Sequence, residues 1–166
     1  AKPFKTERGW AKGYLREGGI RVPMIASWPG RITPGTTSNH LSAFYDVMPT
    51  LCEVVGKPIP SQSDGISFLP ALLNKPQAEE HDYLYWEFPA YNGQQAVRMG
   101  KWKGIRKDIF DGNLGIELYN LDTDIQEQFN IASRHPDMVA KIETIMKREH
   151  VPSALDRFKI FQLGDK

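Results

Sequence analysis

Four short runs, Tyr83-Leu84-Tyr85-Trp86-Glu87-Phe88, Gln95-Ala96-Val97-Arg98-Met99, Trp102-Lys103-Gly104-Ile105-Arg106 and Ile116-Glu117-Leu118-Tyr119-Asn120-Leu121, decide the architecture of this chain. Each is rich in aromatic and branched residues, and each is separated from the next by a turn signal: Asn92-Gly93, Gly100, and Asp111-Gly112-Asn113. Short β-prone runs with polar, glycine-containing breaks predict an antiparallel meander of four strands. A sheet of that size needs a cover on at least one face. Residues 136 to 150 supply it, because Met138, Val139, Ile142, Ile145 and Met146 recur on one helical stripe. Pro136 suits the first helical position, Asp137 the positive end and Lys147, Arg148 and His150 the negative end. Pro152 ends the helix, and the tail to Lys166 keeps enough apolar residues, among them Ile160 and Phe161, to require some packing.

Upstream of the meander, residues 57 to 81 carry Pro58, Pro60, Asp64-Gly65, Pro70 and Pro76, which predicts an irregular connector and a boundary between lobes. Before it, Val47 to Val55 reads as a helix with Asp46 as N-cap and Gly56 just beyond its end. Pro49 is tolerated there because the first turn has no intrahelical partner for its missing donor. Cys52 reads as a buried residue of this helix. Pro23 to Trp28 is a mostly apolar run closed by Pro29-Gly30, the pattern of a strand buried on both faces. Residues 1 to 11, polar and basic, read as a loop leading into Lys12-Gly13-Tyr14-Leu15-Arg16-Glu17-Gly18-Gly19-Ile20-Arg21-Val22-Pro23. That stretch turns at its glycines and extends before Pro23. It presents Lys12, Arg16 and Arg21 to an anionic group, with Glu17 available to brace a guanidinium.

The composition is that of one ordinary globular domain or two small lobes: 166 residues, 40% hydrophobic and 25% charged. With 21 Lys plus Arg against 20 Asp plus Glu, the net charge of +1 gives no bulk field for nucleic acid or an anionic membrane. Any anion site is therefore local. No apolar run approaches the ~20 residues of a membrane span, and one cysteine excludes an internal disulfide framework. His40, His135 and His150 show no spacing to carboxylates or cysteine that makes a metal site. Asp122, Asp124 and Glu127 lack the loop glycine and full oxygen set of a calcium loop, and read as turn and cap residues.

A set of blocks in order resembles the C-terminal part of a formylglycine-dependent sulfatase, in the alkaline-phosphatase-like superfamily. The blocks are Lys12-Gly13 with Glu17-Gly18-Gly19, Arg21 and Pro23, then Trp28-Pro29-Gly30, and Asp46 with Pro49-Thr50-Leu51. They continue through Asp64-Gly65-Ile66-Ser67, Tyr85-Trp86-Glu87, Arg98 with Gly100-Lys101-Trp102-Lys103, Glu117-Leu118-Tyr119-Asn120-Leu121, and Asp124 to Asn130. The resemblance implies an α/β fold, α+β within this chain. Residues 1–75 would supply the last strand and helix of the catalytic sheet domain, and residues 76–166 a subdomain of antiparallel sheet plus helix. It implies hydrolysis of sulfate esters by a formylglycine beside a calcium ion, both held upstream, with no metal ligand in this chain.

Within that resemblance, Lys12 matches the lysine that contacts substrate sulfate, where an ammonium stabilises charge developing on the sulfate oxygens. Ser27-Trp28-Pro29-Gly30-Arg31 fits the short nucleophile pattern by letter, but belongs to the separate Trp-Pro-Gly block. The blocks around Trp86 and Gly93 to Arg98 resemble sulfatases of sulfated sugars. Trp86 is a candidate to stack on a sugar ring, and Gln94, Gln95 and Arg98 to bind its polar groups. The alternative for Tyr85, Trp86 and Phe88 is a plain sheet core. Glu17 and Arg21 read as a brace for the loop. The implied partners are a sulfated sugar or aryl sulfate and the upstream catalytic part, in a periplasmic, secreted or lysosome-like compartment. On this reading the chain alone is inactive. The competing readings are a non-catalytic carbohydrate-binding module, and a phosphoester or phosphonate hydrolase of the same superfamily.

Overall fold

The computed structural model describes Phe4 and residues 12–166; the expected loop over residues 1 to 11 otherwise lies outside the described residues. The chain divides into two compact units: the described residues up to Val22 together with Tyr83–Lys166, and Pro23–Asp82.

In the first unit a short helix, α1 (Glu17–Ile20), precedes the meander in sequence and packs on it in space. In the second unit lie α2 (Val47–Val54) and α3 (Leu69–Leu72). The meander itself is β1 (Leu84–Phe88), β2 (Gln94–Met99), β3 (Trp102–Lys107) and β4 (Glu117–Asn120), antiparallel throughout in the order β1-β2-β3-β4. The long helix α4 (Pro136–Glu149) follows. No helix among the described residues is long and apolar enough to cross a membrane.

The register explains the two faces. Tyr85, Val97, Gly104 and Leu118 align across the four strands. With Ile142, Ile145 and Met146 of α4 they form one core, the expected helical stripe facing the sheet. Gly104 is required there, because a Cβ at that position would lie 2.6 Å from Ile142 Cγ2. The alternate residues Trp86, Ala96, Ile105 and Glu117 align on the opposite face. Ala96, Ile105 and Tyr119 pack there with Leu15, and with Ile20 and Trp86 around them. The sheet is therefore covered on both faces, by α4 on one side and by the segment around α1 on the other.

In the second unit, α2 begins after a 3-10 turn at Phe44–Asp46 and ends as expected, with Gly56 at φ 64 and the Lys57 amide donating to the Cys52 carbonyl at 2.9 Å. Four expectations change. Pro23 to Trp28 forms no ladder with any described residue, and Ile25 is 95% exposed; an apolar run becomes a strand only where a neighbour pairs with it. The connector contains α3, whose Pro70 sits in the first turn where its ring is harmless. Cys52 is half-buried, on a helix that exposes Met48 and Leu51. The Asp46 carboxylate does not cap α2; it accepts from the Ala43 and Ile66 amides at 2.6 and 2.9 Å and meets His81 Nε2 at 2.8 Å. Asp46 thus ties together three segments of its unit, and Gly65 allows it, because a Cβ there would lie 2.2 Å from the Tyr45 carbonyl oxygen.

Candidate functional site

The segment from Lys12 to Ile20 is held on the sheet at both its backbone and its charges. Gln94, at the start of β2, acts as a backbone substitute: its Oε1 accepts from the Leu15 amide at 3.2 Å, and its Nε2 donates to the Gly13 carbonyl at 3.0 Å. Two main-chain groups flanking Tyr14, which no strand pairs, are satisfied by one side-chain amide.

The charges follow one step along. Glu17 is 1% exposed, and its Oε1 accepts from Lys103 Nζ at 2.9 Å. Its Oε2 lies 3.4 Å from Arg21 and 3.6 Å from Arg98. Lys103 is fully buried and also lies 3.0 Å from Glu127 Oε1, a charge contact off the hydrogen-bond direction. Glu127 Oε2 accepts from the Glu17 amide at 2.8 Å, and the Glu127 carbonyl accepts from Arg16 at 2.9 Å. The other end of the Arg16 guanidinium meets Glu117 at 2.6 Å, and Glu117 also pairs with Lys107 at 3.0 Å. Burying ions costs several kcal/mol each unless partners replace the lost water. Here two carboxylates share one ammonium, with guanidinium groups at the edges.

Burial raises the Glu127 carboxyl above its ordinary value, against the opposing pull of Lys103. Burial also acts upward on Glu117, but hydrogen bonds from Lys107 and Tyr119 and the Arg16 charge outweigh it, and its pKa is lowered. The brace expected of Glu17 and Arg21 is thus present and extends further than the sequence indicated. Nothing in the sequence marks Lys103 or Glu127 as a buried ion partner. Lys103 falls in phase with Ile105 along β3, which is the only local signal that it points inward. Glu127, read as a turn or cap residue, is instead a buried ion partner at φ 56, because distant Lys103 reaches it.

The candidate binding residues separate by strand phase. Gln94, Arg98 and Trp86 lie on the face covered by the Lys12–Ile20 segment, and Gln95, one residue on, faces α4. Gln95 is 1% exposed, donating to Glu87 at 2.9 Å and to the Tyr85 hydroxyl at 3.0 Å, and accepting from Arg106 at 2.9 Å. Burial pushes the Tyr85 hydroxyl up and the Arg106 guanidinium down. Trp86 is half-buried against the core of its face, and Arg98 donates to the Gly100 carbonyl besides its contact with Glu17. Lys12 is exposed and makes no ion pair with any described residue.

His150, at the end of α4, pairs with two carboxylates: Nδ1 lies 2.8 Å from Glu87 and Nε2 2.6 Å from Asp165. Both partners come from far along the chain, so no spacing reveals them. Burial lowers the imidazole pKa, but the two carboxylates overcome it and the net shift is upward. No group of three or more His, Cys, Asp or Glu side chains among the described residues is arranged to hold a metal ion.

Comparison with known proteins adds lineage to this geometry. Residues 6–152 match the family described as N-sulphoglucosamine sulphohydrolase, C-terminal. An ulvan-active sulfatase of Formosa agariphila is 32% identical over 168 residues, covering 82% of this chain and 33% of that protein. Arylsulfatase A of Homo sapiens is 36% identical over 112 residues, covering 60% of this chain and 22% of that protein. A structure from the metabolism of multiple glycosaminoglycans by Bacteroides thetaiotaomicron superposes with a TM-score of 0.66 at 25% identity, covering 80% of this chain and 30% of that one. The chain spans about a third or less of the length of these relatives.

Proposed function

The chain belongs to the N-sulphoglucosamine sulphohydrolase C-terminal family, and from that premise we propose that the protein it forms part of is a sulfuric ester hydrolase acting on sulfated carbohydrate. In this proposal residues 1–75 complete the catalytic domain, residues 76–166 form the C-terminal subdomain, and Lys12 is the group of this chain that contacts the sulfate. The observation that carries the reading is an exposed lysine on a segment fastened to the sheet by buried side chains.

The chemistry asked of this chain is charge stabilisation. Sulfate transfer builds negative charge on the sulfate oxygens, and an ammonium held in place beforehand stabilises that charge without reorganising at the moment of reaction. The Gln94 hydrogen bonds and the Glu17–Lys103–Glu127 cluster hold the backbone on either side of Tyr14, and so restrict where Lys12 reaches. Gln94, Arg98 and Trp86, on the sheet face below this segment, are proposed to act on substrate mainly by shaping that wall. Gln95 is proposed to contribute from beneath, through Glu87 and Arg106. The calcium ion and formylglycine of the family supply the nucleophile when present. The described residues offer no donor set that fits the metal, and no step is assigned through either group.

The test is kinetic, on the full-length protein. Lys12→Ala is expected to lower kcat on a sulfated oligosaccharide by about 10²- to 10³-fold, the usual loss when one preorganised charge-stabilising donor is removed. Lys12→Arg is expected to recover part of it. Absence of turnover on any sulfated sugar or aryl sulfate by the unmodified protein overturns the activity, and an unaffected Lys12→Ala overturns the role of Lys12.

A further inference from the structure

The hairpin between β1 and β2 holds three successive residues in left-handed backbone: Tyr91 at φ 51, Asn92 at φ 67 and Gly93 at φ 78. For glycine this is ordinary, and asparagine tolerates it. For tyrosine it costs of order 1–3 kcal/mol and is kept only where the surroundings force it. The surroundings are on hand. Ile109 and Phe110 donate their amides to the Gly93 and Asn92 carbonyls at 3.3 and 3.1 Å, and the Asn92 side chain bonds Asp111. The turn is buttressed from outside, and its strain aims one aromatic ring.

That ring stacks on Tyr14 with centroids 4.8 Å apart and planes 26° from parallel. It also lies over Gly13 so closely that a Cβ there would come within 2.1 Å of Tyr91 Cε2. Tyr91 is thereby fixed against the residue that follows Lys12. Yet it remains 56% exposed, and its hydroxyl makes no hydrogen bond with a described residue. A large aromatic held in a strained turn, one face packed and the other open, is costly as mere packing. It is well suited to receive a flat, partly apolar ligand surface.

We propose that the open face of Tyr91 is a stacking platform for a pyranose ring of the sulfated glycan, next to the sulfate held by Lys12; this rests on the function proposed above. The ring must lie on the outside of the Tyr14–Tyr91 pair. The cavity beneath the pair, lined by Gln94 and Lys107 among others, measures about 50 Å³, enough for a water or one hydroxyl and too small for a sugar ring.

The experiment compares two substrates on the full-length protein, a sulfated oligosaccharide and a small aryl sulfate, for Tyr91→Asn and Tyr91→Trp. Asparagine tolerates the left-handed turn, so Tyr91→Asn removes the ring without adding backbone strain. The expected result is that Tyr91→Asn lowers the ratio of kcat/KM for oligosaccharide over aryl sulfate by about five- to tenfold, chiefly through KM. Tyr91→Trp is expected to retain most of the ratio. Equal losses on both substrates assign Tyr91 to support of the Lys12 loop alone and overturn the proposal, as does an unchanged ratio. If the unmodified protein turns over neither substrate, the activity fails, and calorimetric titration with the sulfated oligosaccharide still decides the platform. Five- to tenfold weaker binding by Tyr91→Asn supports it, and equal binding or no binding by the unmodified protein overturns it.

Discussion

Lys103 is a charged side chain with no exposed surface, and its two carboxylate partners come from opposite sides of the meander in sequence. Lys103→Met keeps most of the volume but leaves Glu17 and Glu127 facing each other without their shared cation. Loss of about 3–5 kcal/mol is expected, read as a lower urea midpoint. His150 gives a pH signature of the opposite kind. Its folded pKa lies above the ordinary value of 6.5, so its contribution is complete below that value and disappears as pH rises through the folded pKa. For Asp165, burial acts upward, but the Ile160 amide and His150 outweigh it and the folded pKa is lowered. Its contribution is present above about 3.9 and is lost as pH falls through the depressed value. The tail is therefore held best between about pH 4 and 6.5. Hydrogen exchange of the Ile160 amide, which donates to Asp165, is expected to speed up between pH 6 and pH 8.5 beyond its intrinsic increase, and His150→Gln to abolish that excess. None of these partnerships was legible from the sequence, because each joins residues whose separation carries no pattern.

At the level of elements, period was informative wherever the element makes its own contacts within this chain. The four strands are legible as β-prone runs between turn signals and α4 as a helical stripe, and α4 places Ile142 against Gly104 and the β3–β4 core. Ile142→Ala should cost about 2–5 kcal/mol in denaturant unfolding, since α4 and the sheet are too closely joined there to collapse onto the void. Period was uninformative for Pro23 to Trp28, where apolar residues alone predicted a strand and no described residue pairs with it. Period also separates Gln94 from Gln95, both candidate binding residues by sequence, because neighbours in a strand face opposite ways. The site wall follows from that alternation. One glutamine holds the Lys12 segment, and the other belongs to the polar layer beneath α4.

Across the first unit as a whole, the meander serves as a shared floor, with the catalytic candidate laid on one side and a helix on the other. The sequence blocks located both layers, yet showed only α4 as a cover. The second cover arrives from before the sheet in sequence, and its attachment uses groups 79 to 111 residues away: the Gln94 side chain for Leu15, the Glu127 carboxylate for Glu17 and the Glu127 carbonyl for Arg16. That attachment has a temporal consequence for a chain made from its N-terminus. Lys12 leaves the ribosome long before Gln94, and longer still before Lys103 and Glu127, so its segment must wait undocked while the second unit is synthesised. The Lys12 segment then reaches its final position only after the meander is complete, so any substrate-facing role of that segment matures after the sheet beneath it.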